Sequence, residues 1–402
     1  MKKVRYTSID GRGGFYALLG VLGLFILAGL GAAYYMEHNG HWVTGMDNQT
    51  VWGLPHVFAV FLIVAASGAL NVASIGTVFG KAPYKPLARL SAVLAVALLV
   101  GGLVVLLLDL GRPDRLIVAM TYYNFKSIFA WNIILYTGFM GFVAIYLWTM
   151  MDRTVRKYYK LAGFAAFIWR LILTTGTGSI FGFLVGRQGY DAAIMAPMFV
   201  VMSFSFGLAI FLLVLMAAYD WTGRPLGEAL LMRLKNLLGV FVAGALYFVI
   251  VFHLTNLYAT EHHDWEKFIL MGESVHTKVF WLGQVLLGSL VPLGILYSKA
   301  GRSRAWIAVA SALVILGGFA TMWVTIIGGQ SFPLVLFPGM EVVSSGYFDD
   351  VAYHTYSPSF PELVLGLGGV AVALIAVVVA VKVLNLLPSS LADADVDPHH
   401  KG

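Results

Sequence analysis

Long apolar stretches separated by short polar connections dominate the chain. A helix that crosses a bilayer needs about 20 mostly apolar residues, and ten stretches meet that requirement. They lie at approximately 14–35, 54–79, 87–109, 127–150, 161–185, 196–219, 236–258, 275–297, 304–327 and 362–384. The pattern predicts an all-α integral membrane protein, with a membrane domain over 14–384, a cytoplasmic N-terminal segment over 1–13 and a cytoplasmic polar tail over 385–402.

The composition supports a membrane protein. Of the 402 residues, 59% are hydrophobic and only 11% are charged, whereas a typical soluble domain has roughly 25% charged residues. A soluble protein of this size would need more charge to cover its surface. A transmembrane β-barrel alternates apolar and polar residues along each strand, and this sequence has no such alternation.

The connections and chain ends carry further expectations. The N-terminus MKKVRYTSIDGRGG resembles the charged region of a signal peptide, but the apolar run after it is long and lacks a small-residue cleavage site. We therefore expect a retained first helix. The Gly/Pro/Ser-rich connection at about 328–361 is expected at the surface, and the polar tail after Pro388 is expected to be disordered.

Basic residues are distributed unevenly between the two sets of connections. Cytoplasmic connections of membrane proteins carry an excess of Lys and Arg. With a cytoplasmic N-terminus, the 26 basic residues divide into 19 on the inner side, six on the outer side and one, Arg170, within a span. This asymmetry predicts that both termini face the cytoplasm.

Polar side chains collect near the predicted outer ends of six spans. Such groups are costly in hydrocarbon unless they have partners, so they are candidates for functional sites. They are His56, Asp109, Asn124, Lys126, Trp131, Asn132, Ser179, His253, Asn256, His276, Lys278 and Gln284. The inner half is poorer in polar groups, with Ser67, Asn71 and Tyr247, and Arg170 lies near mid-depth. The distribution favours an outer site for a lipid-soluble ligand with an apolar body and a polar head.

The segment LDLGRPDRL, residues 108–116, ends the third span at this level. Gly111 and Pro113 are typical of a helix end, and Asp109 stays just within the membrane edge. The arginines that follow can snorkel, pair with Asp109 or Asp114, or face a partner. A locally paired helix end and a ligand site both remain open at this point.

The chain contains no cysteine. It therefore holds no cysteine-ligated iron–sulfur cluster, no covalently attached haem and no disulfide. A redox centre would be His-ligated, diffusible or carried by a partner. Haem b between two of His56, His253 and His276 is an alternative cofactor, although the chain lacks paired histidines at both faces. EHHDWE, residues 261–266, is a candidate metal site, but a solvated outer loop is the simpler interpretation.

The motif LDLGRPDR followed by YYNFKSIFAWN resembles the signature of the NrfD/PsrC family, the membrane subunits of quinone-linked oxidoreductase complexes. TTGTGSIFG in the fifth span resembles the family's small polar stretch. YSPSFPELVLGLGG before the last span resembles the ten-helix branch that includes HybB and DsrP. The resemblance covers essentially the whole chain. It implies two four-helix bundles plus two extra helices in a bacterial or archaeal cytoplasmic membrane.

The same resemblance implies ligands and partners. The expected ligand is a non-covalent quinone, menaquinone or ubiquinone, bound near the periplasmic face. The expected partners are a periplasmic ferredoxin-like iron–sulfur subunit of the DsrO type and cytochrome c and cytochrome b type membrane subunits, in respiration or sulfur metabolism. A proton- or ion-translocating subunit and a passive membrane anchor are the alternative functions.

The resemblance also implies roles for individual residues. Asp109 matches the family's aspartate near the quinone head, and His56 is the match for a neighbouring histidine, so these two are the expected catalytic pair. The other expected quinone-binding residues are Arg112, Tyr123, Asn124, Trp131, Asn132, Ser179, His253 and His276. Arg112 and Asn124 match motif positions that serve either the quinone or partner docking. A weaker expectation is a proton path that includes Arg170 and Asn71.

Overall fold

The computed structural model describes residues 4–11, 13–334 and 353–397. Within these ranges, ten helices are long and apolar enough to cross a membrane, which confirms the predicted all-α membrane architecture. They are α1 (Gly13–Asn39), α2 (Leu54–Thr77), α3 (Ala82–Leu108), α4 (Ile128–Met151), α5 (Arg156–Gly182), α6 (Met195–Thr222), α7 (Glu228–Tyr258), α8 (Val275–Tyr297), α9 (Arg304–Ser331) and α10 (Phe360–Val383).

Several helices extend beyond the apolar stretches that predict them. The largest difference is at α7, which begins at Glu228 rather than near 236. Its first two turns contain polar residues, and Arg233 there forms an ion pair with Asp397 at 2.9 Å. Hydropathy reports the length of a helix that lies in hydrocarbon, so it stops short where a helix continues into the polar interface.

The helices form two adjacent four-helix bundles. Helices α2, α3, α4 and α5 pack in a ring, and α6, α7, α8 and α9 pack in a second ring. Helices α2 and α6 join the bundles, while α1 packs on α10, which in turn packs against α3 and α2. Because it is covered on all sides, α2 is the most deeply buried span. The two extra helices therefore lie outside the first bundle.

Helices α2 and α6 approach most closely at two glycines. A Cβ atom on Gly68 would lie 1.5 Å from the carbonyl oxygen of Ser203, and a Cβ on Gly207 would lie 2.1 Å from the backbone nitrogen of Ala69. Small residues at helix contacts allow this approach of backbones within membranes. The pair thus determines how the two bundles meet.

We expect Gly207→Val to destabilise the protein strongly. Overpacking typically costs roughly 1–3 kcal/mol, and more where the surroundings cannot yield, and here the nearest atoms are backbone. The measurement is the thermal unfolding temperature in detergent. Gly141→Val is the matched control, because a Cβ on Gly141 would meet nothing within 4 Å. Equal unfolding temperatures for the two variants would contradict this packing.

Two short strands join the chain ends at the predicted inner face. Strand β1 (Tyr6–Thr7) pairs antiparallel with β2 (Leu387–Pro388), with Tyr6 opposite Pro388. The Tyr219 hydroxyl donates to the carbonyl oxygen of Pro388 at 2.9 Å, and Arg224 donates to that of Ser8 at 2.7 Å. These contacts tie both ends to the start and end of neighbouring spans.

The expected disorder of the tail is wrong for residues 389–397. Leu391 forms a parallel bridge with Leu226, and a short helix covers Asp393–Val396. The side chains of Leu391 and Val396 are fully buried. The polar composition of this segment concealed its apolar anchors, and residues 398–402 lie outside the described residues.

Short helices occupy two connections at the opposite, predicted outer face. Pro113–Arg115 and Leu116–Thr121 lie between α3 and α4. Thr260–His262, His263–Glu266 and Lys267–Met271 lie between α7 and α8. Further single turns cover His41–Val43 and, at the inner face, Lys299–Arg302. Of the connection expected at 328–361, residues 335–352 lie outside the described residues.

Candidate functional site

Two residues that the sequence nominates together meet at the ends of α2 and α3. His56 lies in the first turn of α2, and Asp109 directly follows the last residue of α3. His56 Nδ1 lies 2.8 Å from Asp109 Oδ2. The Asp109 side chain is completely buried, whereas 15% of the His56 side chain is exposed. The arrangement connects a sealed carboxylate to an imidazole that remains accessible.

Asp109 retains unused hydrogen-bonding capacity. Its contact with His56 is short but lacks the angle of a hydrogen bond, and neither carboxylate oxygen has a hydrogen-bond partner among the described residues. A buried polar group without a partner is costly. A ligand hydroxyl that donates to Asp109, or a rotation of the imidazole, would complete the site.

The backbone turn after α3 separates Asp109 from the arginines of its motif. Gly111 adopts a left-handed conformation with φ of 68°, which glycine accepts without strain. Arg112 is thereby carried to the surface, where it donates to both oxygens of Asp114 at 3.0 and 2.9 Å. Both side chains are 61% exposed, and the hydrogen bond from Arg112 lowers the pKa of Asp114. Arg112 therefore pairs with Asp114 rather than with Asp109.

An aromatic group borders His56. The ring of Trp52 stacks against the imidazole with centroids 6.2 Å apart. Phe129 and Phe181 each lie 5.9 Å from Trp52, and Tyr190 lies 6.3 Å from it. These rings provide an apolar wall beside a polar pair. Sequence reasoning missed Trp52, because interfacial aromatic residues are common in membrane proteins whatever their role.

The segment that contains both His56 and Asp109 also decides the family. Residues 42–334 match the family described as "Polysulphide reductase, NrfD". The chain belongs to the NrfD family. The matched segment contains α2 to α9, so both bundles are part of the family's common fold, whereas α1 and α10 lie outside it.

Three curated relatives are similar to this NrfD-family chain over nearly its full length. The Hdr-like menaquinol oxidoreductase integral membrane subunit of Archaeoglobus fulgidus is 28% identical over 399 residues, covering 98% of each chain. A selenate reductase subunit of Mesobacillus selenatarsenatis is 24% identical, covering 94% of this chain and 93% of the relative. A putative dimethyl sulfoxide reductase membrane subunit of Halobacterium salinarum is 27% identical, covering 92% and 91%.

Other nominated residues lie around the connection from α3 to α4. Asn132 and Ser179 are buried between α4 and α5, and Asn132 Oδ1 has no partner among the described residues. Trp131 donates its indole N–H to the carbonyl of Phe125 at 2.9 Å, and Tyr123 stacks on the same Phe125. Asn124 is exposed and accepts a hydrogen bond from the backbone of Lys126. Their contacts are local, and a ligand role for each stays a prediction.

The remaining nominated histidines belong to the second bundle. His253 Nδ1 lies 2.7 Å from Glu266 Oε2, and Asn256 donates to Glu266 Oε1 at 2.9 Å. His276 is buried against the ring of Trp323, 6.4 Å between centroids. The single outer layer that depth alone predicts is thus two clusters, one in each bundle. His56 and His253 each contact a different carboxylate.

The interpretation of EHHDWE as a solvated loop is wrong for His262, Trp265 and Glu266, whereas Glu261, His263 and Asp264 are exposed. Trp265 is 2% exposed and Glu266 is fully buried. The ring of His262 is also buried and contacts the carbonyl oxygen of Gln188 at 3.0 Å. Charged neighbours made the segment look like a surface loop. Within the described ranges, no group of three or more His, Asp or Glu side chains is arranged to hold a metal.

A buried carboxylate that sequence reasoning missed braces the start of α2. The Tyr356 hydroxyl donates to Glu362 Oε1 at 2.5 Å and accepts the backbone N–H of Leu54 at 2.7 Å. Glu362 is fully buried and also accepts the N–H groups of Gly45 and Ser359. The Ser-x-x-Glu spacing of a capping box at 359–362 was the available signal.

This network holds the helix turn that carries His56, two residues beyond Leu54. Burial raises the pKa of Tyr356 above its ordinary value, so the phenol stays protonated and donates across the physiological range. Both Tyr356 and Glu362 lie outside the segment that matches the family. The tenth helix of this chain thus reaches the first bundle's site from outside the shared fold.

We expect Tyr356→Phe to lower the stability of the purified protein by about 1–3 kcal/mol. The substitution leaves the buried Leu54 N–H and a Glu362 oxygen without their shared partner, and unsatisfied buried groups cost about that much. Thermal or denaturant unfolding measures the loss. Tyr258→Phe is the control, because Tyr258 is 92% exposed. If both variants unfold together with the unchanged protein, the bracing role is refuted.

Arg170 lies buried in the middle of α5. Its Nη2 donates to Asn71 Oδ1 at 2.8 Å, and the rings of Phe167 and Phe204 flank the guanidinium at 5.0 and 4.9 Å. Nε and Nη1 have no hydrogen-bond partner among the described residues. The nominated pair Arg170 and Asn71 therefore lies together. The hydrogen-bond partner of Arg170 is thus the side-chain amide of Asn71.

Proposed function

We propose that this chain is the membrane subunit of a respiratory or sulfur-metabolism redox complex, and that it binds quinone or quinol beside the His56–Asp109 pair near the periplasmic face. The observation that carries the proposal is the buried Asp109 carboxylate, which has unused acceptors and lies 2.8 Å from an accessible imidazole. The A. fulgidus relative is named as a menaquinol oxidoreductase subunit, which supports this ligand class.

The chemistry of a quinol suits these two groups. Oxidation of one quinol releases two electrons and two protons. Imidazole exchanges protons near neutral pH, so His56 accepts a proton from one hydroxyl. Asp109 orients His56 or accepts a proton itself, as in general acid–base catalysis. Reduction of a quinone uses the same groups in reverse.

The surroundings suit the rest of the ligand. Trp52, Phe129 and Phe181 form an apolar wall beside the polar pair, where a quinone ring is stabilised by stacking. Phe129 is partly exposed at the surface of the helices, towards which an isoprenoid tail can extend. The proposed ligand is menaquinone or ubiquinone.

The electrons leave through a partner protein in this proposal. The segment between α3 and α4 exposes large apolar side chains, among them Ile117, Tyr122 and Phe125, and Arg112 lies exposed beside it. Such a patch is typical of a protein or membrane contact. We assign it to a periplasmic ferredoxin-like iron–sulfur subunit of the DsrO type. Cytochrome c and cytochrome b type subunits would complete a DsrP-containing complex.

A photoreactive azidoquinone tests this assignment in the intact complex. We expect labelled peptides from the start of α2 and from the α3–α4 connection, and less labelling when excess unmodified quinone is present. Labelling confined to the second bundle, or none that competes with quinone, would overturn the assignment. Unchanged turnover with no quinone-analogue binding would favour a passive anchor instead.

The buried Arg170–Asn71 contact bears on the alternative of proton or ion translocation. A proton path through these residues stays a prediction, although a fixed positive charge opposes the passage of cations. An assay in proteoliposomes distinguishes quinol chemistry from proton or ion translocation. If Asp109→Asn abolished ion movement while quinol turnover continued, the chain would act in translocation rather than in quinol chemistry.

A further inference from the structure

The second bundle contains a buried acid–base pair that the proposed quinone site does not use. His253 Nδ1 lies 2.7 Å from Glu266 Oε2, and Asn256 donates to the other carboxylate oxygen at 2.9 Å. Glu266 is fully buried, whereas 11% of the His253 side chain is exposed. The buried Glu266 carboxylate is therefore accessible only through the imidazole of His253. Breaking such a pair leaves a buried charge uncompensated.

Two small cavities continue from this pair into the bundle. The first has a volume of about 20 Å³ and is lined by His253, Trp265, Gln284 and Thr321, among others. The second, also about 20 Å³, shares Gln284 and Thr321 and adds Ser205. A water molecule needs roughly 10–15 Å³ of such volume and two to four polar partners. Each cavity is therefore large enough for a water molecule.

Two polar atoms in the cavity walls lack partners. Trp265 Nε1 and Gln284 Oε1 are buried, and neither has a hydrogen-bond partner among the described residues. The two side chains are 2% and 7% exposed. Nearly all buried polar groups in proteins are hydrogen-bonded to protein or ordered water. An unpartnered donor and an unpartnered acceptor, on two residues that line the same cavity, are the partners that a bound water requires.

The two cavities suit water better than a quinone. A cavity of about 20 Å³ is far smaller than the 300–1,000 Å³ typical of organic ligand sites. The ring of His253 is also packed between Phe252 and Phe280, with centroids 5.0 and 4.8 Å away. Water and the proton are the ligands that fit.

We infer that the second bundle holds a hydrated proton-binding site, in which water in the two cavities exchanges a proton with the His253–Glu266 pair. A proton passes from water to the pair and returns to water, so the step needs no oxidant or reductant. The site lies beside α7 and α8 and is separate from the His56–Asp109 pair in the first bundle.

Other titratable groups lie on the same and the neighbouring elements. They include Tyr258 on α7, Glu261, His262, His263, Asp264, Lys267 and Glu273 in the connection, His276 and Lys278 on α8, and Arg187, Tyr190 and Asp191 before α6. In the described part of the chain, the only ion pair of Glu266 is with His253. His262 pairs instead with the exposed Glu261 at 3.7 Å.

Hydroxyl-radical footprinting of the intact complex tests the hydration. X-rays produce radicals from bound water, so buried residues beside water are oxidised although bulk solvent cannot reach them. Met202 lines both cavities and is 2% exposed. Met36, in α1, is 0% exposed and is the control. We expect Met202 to be oxidised several-fold faster than Met36. Equal rates would show that the cavities are dry and would overturn the inference.

A variant tests whether Gln284 in the cavity lining holds the water that causes oxidation of Met202. Gln284→Leu nearly conserves volume but removes the unpartnered acceptor, so it is expected to reduce oxidation of Met202 to the rate of Met36. Oxidation of the exposed Trp42, which is 80% accessible, reports the radical dose and should not change. A Met202 rate unaffected by Gln284→Leu would contradict the assignment of the water to this wall.

Infrared difference spectra between two pH values test whether the His253–Glu266 pair binds a proton. We expect a carboxyl or imidazole signal that disappears in Glu266→Gln, a change that still lets Asn256 donate to the side-chain oxygen. Identical spectra for the variant and the unchanged complex would overturn proton binding by the pair. Quinone labelling of the same samples keeps the proposals apart, since either site can fail while the other stands.

Discussion

Asp109→Asn is expected to lower quinol-linked turnover of the intact complex by about 10²- to 10⁴-fold, the range over which a positioned acid or base usually contributes. The amide keeps the shape of the carboxylate but cannot accept a proton or carry the charge that stabilises a protonated His56. Because Asp109 Oδ2 lies 2.8 Å from His56 Nδ1, the loss acts on the group that exchanges protons. The measurement is quinol oxidation by purified complex, after verifying that all its subunits are present.

The matched control for this change lies five residues along the chain. Asp114 is 61% exposed and pairs with Arg112, so Asp114→Asn should leave turnover within about two-fold, as expected for a weak surface pair. If Asp109→Asn were as active as Asp114→Asn, the carboxylate would have no catalytic role. A parallel loss in both would indicate damage to partner docking.

Replacing His56 and Asp109 together is expected to cost no more than replacing one of them. Residues that act as one unit in catalysis show strongly non-additive effects. We therefore expect His56→Gln, Asp109→Asn and the double variant to have turnover within about ten-fold of one another. The measurement is kcat/KM for quinol in the intact complex.

Simple multiplication of the two losses would mean that the groups act independently. A suitable reference is the cycle of Asp109→Asn with Tyr258→Phe, since Tyr258 is exposed at the end of α7. That pair should be additive. Additivity in both cycles would refute a shared role for His56 and Asp109.

The spans were predictable because hydropathy and the length of a helix are directly related to bilayer thickness. All ten appear, and the motif LDLGRPDR also identified the helix end that carries Asp109. The contact between Asp109 and His56 followed from the family resemblance and their common depth. Periodicity alone would not have paired them.

The predicted depth of a residue in the membrane does not show which helices are its neighbours. His253 and His56 lie at a similar predicted level, yet they belong to different bundles with separate carboxylates. Which helices are neighbours depends on backbone contacts such as Gly68 with Gly207. The sequence contains 44 glycines, and it does not show which of them form contacts between helices.

The buried carboxylates were the other omission. Glu266 lies in a polar segment next to a span, and Glu362 lies at the very start of the last predicted span, where solvent exposure is expected. Each is buried because tertiary partners satisfy it: His253 and Asn256 for Glu266, and Tyr356 with backbone amides for Glu362. Local polarity cannot show that such partners arrive from distant parts of the chain, 317 residues away in the case of Gly45.

The most direct test of the central claim is a density map of the assembled complex prepared with quinone. The account predicts density for the ring beside Trp52, with one oxygen within hydrogen-bonding distance of His56 or Asp109 and the iron–sulfur partner over the same face. A map in which lipid or packed side chains fill the space beside the His56–Asp109 pair and Trp52, with quinone density elsewhere, would contradict it.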